Sequence, residues 1–551
     1  MKTKRHSCIR LFNLLANKPA ALAFILLVSA AQVHTQTVDS FNPNPQTGGN
    51  SLDGIAFQPD GSVLAFGIFT TFGGQPRPGL ARSFSDGTLD PNFNPNGSYP
   101  GGFLDLFSVS VQTDRKLLAG GNFRSLGGRP STNLARLFPD GTSDPSFNAW
   151  TDFGIGAIVP QSDGRILVGG RFTQVDGQPH LGLARLNSDG TLDSNFTAEA
   201  KGNTCSGIAF QPDGKILVCG TFTNLAGQAN TNVGRLNADG TGDNTFHASA
   251  SATIGCMVAQ NDGKIVVAGL FTSLDGQPRN YLGRLNSDGS LDASFNPNPD
   301  YYVSCLALQA DGKILASGGF TNIYGQVRTC MARLNSDGSL DTSFDPGPIT
   351  AQNGPSPYAN AGHLQVDGRI VVAGNFWALN GQTRGSIGRY INTDPATQSL
   401  TINGSMITWL RGGTSPEVWR TTFEQSTDGV IWVPLGSGTR IVGGWQLSGV
   451  SVLPGAAIRA RGFTVERGRA WFTETLSQPL ISLNDGSFGF QSNHFGFNVT
   501  GLQGQTVIVS GSSNMVNWTP LTTNTLGLGT FYFSDPASAN LTRRLYRVQL
   551  Q

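Results

Sequence analysis

The stretch Arg284-Leu285-Asn286-Ser287-Asp288-Gly289-Ser290-Leu291-Asp292-Ala293-Ser294-Phe295 decides how this chain is built, because close copies of it return at intervals of roughly fifty residues. Around each copy the same parts follow in the same order. An apolar run leads to an Asp-Gly turn, and a second apolar run ends in Gly and Phe. A Gly-containing loop comes next, then a third run carrying Arg, a second Asp-Gly and a Leu-Asp-x-x-Phe tail. In the unit ending at Phe344 the first turn is Asp311-Gly312, the second run spans 313–320, the third 331–335 and the tail 340–344. The equivalent first-turn aspartates are Asp60, Asp114, Asp163, Asp213, Asp262, Asp311 and Asp367, spaced by 54, 49, 50, 49, 49 and 56 residues.

Short apolar runs bounded every few residues by Gly, Pro, Asp and Asn read as strands, and no run keeps helical spacing long enough for a helical repeat. Four strands per unit make a blade, and blades stacked radially make a β-propeller with only short edges. The ends of the array point to a closed ring. The seventh unit breaks off after Tyr390 without its tail, whereas a stray tail, Val38-Asp39-Ser40-Phe41-Asn42-Pro43, precedes the first unit. The N-terminal strand is therefore expected to complete the last blade.

Turn chemistry sets the register. A three-residue hairpin loop with Gly in the left-handed position, as in Asn335-Ser336-Asp337-Gly338-Ser339, places Arg333 opposite Asp341. The same offset joins Arg82 to Asp90, Arg136 to Asp144, Arg185 to Asp193, Arg235 to Asp243 and Arg284 to Asp292, with Asp39 left for Arg389. These are expected to be structural, bidentate-capable pairs, one per blade.

The patterns Asp-Gly-Lys-Ile-Leu-x-x-Gly-x-Phe-Thr, Gly-Gln-x-Arg and Ala-Arg-Leu-Asn-x-Asp-Gly-Ser-Leu-Asp-x-Ser-Phe are well kept in residues 213–223, 276–295 and 325–344. They resemble the delta-60 repeat of secreted and surface proteins of environmental bacteria. The likeness covers about two thirds of the chain. Departures occur at Asp114-Arg115, at Phe376-Trp377 and at Gly227-Gln228-Ala229. The resemblance implies a propeller-like extracellular module without a catalytic motif.

Export is also read from the N-terminus. Lys2, Lys4, Arg5, Arg10 and Lys18 precede an apolar run at 20–31, and Val28-Ser29-Ala30 offers a small-residue cleavage site, so residues 1–31 are expected to be a signal peptide. The run is shorter than the ~20 residues a transmembrane anchor needs. Removing those five cations from a chain of formal net charge +1 leaves about −4, which takes away the electrostatic basis for nucleic-acid binding. Cys205, Cys219, Cys256, Cys305 and Cys330 remain, an odd number with no Cys-x-x-Cys, which supports neither a disulfide framework nor a metal site.

The domain layout follows: a signal peptide at 1–31, a seven-bladed propeller at 38–391, a small β-sandwich of immunoglobulin or fibronectin type at 396–478 and a C-terminal β-module at 479–551. In the sandwich, strands are expected at 400–410, 417–424, 431–435, 441–447, 457–463 and 470–475, with Trp409, Trp432 and Trp445 in its core.

Catalytic signatures are scarce. Nucleophile-elbow, zinc-protease, phosphate-loop and dinucleotide motifs are all missing, and the ring holds a single glutamate, Glu199. Calcium is the alternative for Asn286, Asp288 and Asp292, but Asn, Asp and Gly are also what tight turns require, so no cofactor is expected. The links between blades differ most from one another and carry Tyr99, Trp150, Phe153, Tyr301, Tyr302 and Tyr358. Because each link joins an outer strand to the next inner strand, all should open onto one face, where aromatics on a rigid frame make a recognition surface.

The expectation is a secreted, monomeric, non-catalytic binding, adhesion or scaffold protein whose loop face takes an unidentified protein or glycan. Two other readings stay open. One is an extracellular polysaccharide-active hydrolase or lyase working at the same face. The other is a purely structural cell-envelope component whose ring folds without residues 396–551.

Overall fold

The computed structural model describes residues 34–45, 52–100, 104–351, 356–392 and 394–550, the last range apart from 428, 430, 454–455, 478–479, 482–486, 492–493, 501–505, 513–517, 527–529 and 541–543. The segment read as a signal peptide lies outside the described residues. Everything regular among them is strand, except for one short 3-10 turn at Pro536–Asn540. No described helix is long and apolar enough to cross a membrane.

Seven antiparallel sheets form the ring. Their inner strands are Leu52–Phe57, Asp105–Val111, Ile155–Pro160, Cys205–Phe210, Ile254–Ala259, Val303–Leu308 and Tyr358–Leu364. Each pairs with a middle strand that in turn pairs with the Arg-bearing strand, as in Val303–Leu308, Ile314–Gly318 and Met331–Leu334. Ring closure comes from the N-terminus. Thr37–Val38 pairs with Ile387–Ile391, Val38 facing Tyr390, so that among the described residues the last blade alone has a four-stranded sheet. His34–Thr35 adds a parallel pairing to Phe344–Asp345 of the sixth blade.

Two parts of the repeat depart from the sequence reading. The outermost strand is reduced to a one-residue bridge in six blades, from Ser83 with Leu89 to Leu334 with Leu340. Its aspartate is the reason: Asp292 Oδ1 accepts the Ser294 N–H at 3.0 Å and its carbonyl accepts the Phe295 N–H at 3.2 Å, so the tail curls instead of extending. The Gly-containing loop is not a plain loop either. It forms a two-residue ribbon such as Ser273–Leu274 with Gln277–Pro278, turned by Asp275 and Gly276 at φ 48° and 71°.

The arginines sit opposite the expected aspartates, but each pair meets through one carboxylate oxygen rather than as a two-pronged fork. Arg284 Nε lies 2.8 Å from Asp292 Oδ2, Arg333 Nε 2.7 Å from Asp341 and Arg389 Nε 2.6 Å from Asp39. Arg136, Arg185 and Arg235 do the same with Asp144, Asp193 and Asp243, and Arg82 with Asp90. Every guanidinium also covers the Phe of its own tail, at 4.4 Å for Phe93 and 4.7 Å for Phe295 and Phe41. Its Nη1 then reaches the next blade, donating to the carbonyls of Pro139, Ser287 and Ser85 from Arg82, Arg235 and Arg389. Lysines missed in the sequence reading, Lys116, Lys215, Lys264 and Lys313, close on four of these same aspartates at 2.7–3.0 Å.

After the ring, two four-stranded antiparallel sheets share an apolar core of Leu400, Ile407, Trp409, Phe423, Trp445, Ile458 and Ala460. The expected strand 400–410 is a hairpin, Ala396–Asn403 with Met406–Gly413, because Gly404 at φ 59° turns the chain back. Trp432 is not in that core; it lies half-buried beneath Arg459, whose guanidinium carbon is 4.0 Å from its ring.

One hairpin of this module, Ala457–Glu466 with Arg469–Leu476, extends past its sheet partner Arg420–Ser426, and its far end enters the centre of the ring. Phe463, Trp471 and Phe472 belong to the same buried cluster as Phe57, Val109 and Ala361. Below the ring, on the side of the Asp-Gly turns, Trp419 stacks on Phe210 at 4.6 Å and the Glu417 N–H donates to the Leu308 carbonyl at 2.7 Å. The hairpin thus supplies side chains to the ring's own core, so the ring is not packed independently of residues 396–551. The described residues from 480 onward form a four-stranded and a three-stranded sheet around Phe497, Val507 and Phe533.

Candidate binding site

Every inner strand slips its register by one residue at the same place, between Leu52 and Gly54 in the first blade and between Ala359 and Ala361 in the last. The residue squeezed out is Asp53, Phe107, Gly156, Ser206, Gly255, Ser304 or Asn360. A bulge re-aims the extra residue, and here all seven line one cavity of about 700 Å³ at the mouth of the channel. In sequence each lies seven positions before the first-turn aspartate of its unit. That position varies in almost every blade while its surroundings are copied, a signal the sequence reading passed over.

Just inside the bulges stand small residues, Gly54, Ser108, Ala157, Gly207, Cys256, Cys305 and Ala361. They leave room for the hairpin tip, which floors the cavity. A Cβ on Gly54 would lie 2.3 Å from Arg469, and one on Gly468 would lie 2.4 Å from Ala157. The tip turns through Arg467 and Gly468, both at positive φ, 51° and 68°. The Gly468 carbonyl accepts the Ile158 N–H at 2.8 Å, the Ala470 N–H donates to Ser110 Oγ at 2.7 Å, and Arg469 donates to the carbonyls of Asp53 and Phe107 at 2.9 and 2.8 Å. Arg467 donates to the Asn360 carbonyl at 3.2 Å. Behind the tip, Glu466 bonds His363, whose Nε2 lies 3.7 Å from Cys305 Sγ. Burial pulls the imidazole down, but Cys305 and Glu466 together hold it up at about 9.

The electrostatics of the mouth are mixed. Asp53 and Asp105, from adjacent blades, face each other. Burial raises both carboxyls; Arg467 and Arg469 restrain Asp53, while Asp105, facing Asp53, rises to about 8. The pair thus shares a proton near neutral pH. Against it the lining sets the cations Arg171, Arg467 and Arg469.

Of the aromatics singled out from the sequence, Phe153, Tyr301 and Tyr302 line this cavity, and Phe153 and Tyr301 keep more than half their surface exposed. Tyr301 and Tyr302 meet edge to face at 4.9 Å. Burial and the neighbouring Tyr358 push the Tyr302 hydroxyl up to about 12; Tyr358 itself, half-buried at the start of the last inner strand, is not part of the lining. Tyr99 and Trp150 are exposed outside the lining; the Trp150 N–H caps Asp176 at 2.8 Å. Asp288, weighed as a calcium ligand, accepts the Ser290 N–H at 2.9 Å and its hydroxyl at 2.7 Å. Among the described residues no cluster of three or more His, Cys, Asp or Glu is arranged to hold a metal.

Seven segments, 58–93, 112–147, 161–196, 211–246, 260–295, 309–344 and 365–390, match the family described as "Domain of unknown function (DUF5122) beta-propeller". No curated protein matches significantly. Among solved structures, the WD40 β-propeller domain of Doa1 is 13% identical with a TM-score of 0.42, over 65% of this chain and 98% of that one. The extracellular domain of the putative hybrid two component system BT3049 from B. thetaiotaomicron is 12% identical with a TM-score of 0.35, over 80% of this chain and 57% of that one. This chain is a β-propeller repeat protein built on seven DUF5122 repeats.

Proposed function

We propose that the chain is an exported, non-catalytic binding protein that takes its ligand at the mouth of the channel. The observation that carries this reading is the ring of bulge residues. A frame copied from blade to blade places Asp, Phe, Ser or Asn side chains from five blades, and bare glycine from two, around one cavity of ligand size. Exposed Phe153, Leu270 and Tyr301 gather at the same opening, as a recognition surface requires. The basic and apolar N-terminal leader supports export, and adhesion to an extracellular polymer is the role that fits both.

The test uses a block that leaves the frame alone. A Cβ on Gly255 meets nothing within 4 Å and its φ is not positive, so the backbone there accepts a side chain, and Gly255→Trp is the block of choice for the mouth. The full-length protein is run on a glycan and polymer array beside a reducing-end release assay. Retention that Gly255→Trp abolishes, without release of new ends, supports binding; equal retention by the variant refutes the site. A second reading, a polysaccharide-active hydrolase, draws on the proton-sharing Asp53 and Asp105, since paired carboxyls in unlike states can act as acid and base. Release of reducing ends that Asp53→Asn removes would favour it.

A further inference from the structure

We infer that the group recognised at the channel mouth is anionic, the carboxylate of a sugar acid, read by Arg467 and Arg171. This rests on the mouth being a binding site. The lining carries three arginines against one carboxylate, Asp53, and no lysine. Arg469 is held mainly by the backbone: it is 2% exposed, and its Nε and Nη2 donate to the carbonyls of Asp53 and Phe107, which leaves only its buried Nη1 without a partner. Arg467 is different. Half-buried at the centre of the floor, it gives one bond to the Asn360 carbonyl, and no ion pair engages it or Arg171 among the described residues. A guanidinium fixed at the bottom of a cavity, with donors to spare, matches the flat two-oxygen edge of a carboxylate.

The rest of the wall suits a sugar ring. Phe107, Phe153, Tyr301 and Tyr302 offer flat apolar faces, while Asn122 and Ser206 offer partners for hydroxyls. The nearby Asp53 and Asp105 repel an anion less than two free carboxylates would, since they hold a proton between them. The cavity of about 700 Å³ lies within the usual span for small-ligand sites, roughly 300–1,000 Å³.

Calorimetric titration of the full-length protein with tri-galacturonate, galacturonate and the carboxyl-reduced, neutral trisaccharide tests this. Tri-galacturonate is expected to bind and its neutral counterpart to bind at least about tenfold more weakly, the loss of a charge-assisted contact. Arg467→Gln should lose a similar factor and Arg467→Lys recover part of it. Hydrogen exchange over 457–476 checks that each variant keeps the hairpin in place. Monomer binding as tight as trimer binding assigns a free sugar acid, and tighter trimer binding assigns a chain end; both support the inference. Equal affinity for the neutral trisaccharide, or an Arg467→Gln variant that binds normally, overturns the anionic reading and leaves a neutral-ligand site standing. If none of the three binds and the polymer array is also blank, the binding site itself is refuted.

Discussion

Replacing Trp471 with Ala probes whether the C-terminal hairpin is structural filling of the ring. The side chain is 2% exposed and lies edge-on to Phe57 of the first blade at 5.8 Å and to His363 of the last at 5.1 Å. Truncating a buried Trp costs about 3–5 kcal/mol in transfer and cavity energy. At about 1.4 kcal/mol per decade, the state with the hairpin withdrawn becomes roughly two to three and a half decades more populated. Hydrogen exchange resolves where the loosening goes. Inner strands Leu52–Phe57 and Tyr358–Leu364 should exchange faster together with Ala457–Glu466 and Arg469–Leu476, because Phe57, Ala361 and Trp471 share one cluster. If faster exchange stays within residues 396–478 and the ring keeps its protection, the hairpin is a passenger and the shared-core reasoning fails.

Three further outcomes are expected. The proton on His363, held at about 9 against an ordinary value of 6.5, stabilises the closed channel fully below pH 6.5 and is lost as pH rises through 9; the urea midpoint should fall over that window, and Glu466→Gln should flatten the fall. Asp105, raised from 3.8 to about 8, takes up a proton on folding, so its contribution declines as pH rises from about 4 through 8; Asp105→Asn should make the protein more stable than the parent at pH 8 and no different at pH 4, and an unchanged pH slope would count against the Asp53–Asp105 pair. Asp39→Ala strands the buried Arg389 guanidinium, a loss of about 3–5 kcal/mol, and should lower the urea midpoint and expose residues 34–45 to protease; a parent-like midpoint would mean the ring closes by other contacts.

The ring was legible in the sequence because its devices are local and repeated. Asp-Gly turns fix hairpin register, the Arg-to-Asp offset follows from that register, and the missing tail after Tyr390 announces the strand at Thr37–Val38. The hairpin in the channel was not legible. Its tip, Glu466-Arg467-Gly468-Arg469, is an ordinary turn by composition, and only its contacts with residues hundreds of positions away reveal its place. Half of the mouth was visible, since Phe153, Tyr301 and Tyr302 lie on links recognisable as irregular. Asp53, Phe107 and Asn360 were hidden within strands, where alternation says nothing of a bulge.

Those bulges carry a consequence for how such a protein changes over generations. Each projects a single residue from a strand otherwise held by its neighbours; a Cβ on Gly255 would meet nothing within 4 Å and one on Gly156 only the Cys205 carbonyl at 3.8 Å. Selectivity can therefore drift by point substitutions at any of seven separate dials, none of which touches the guanidinium girdle that keeps the ring round.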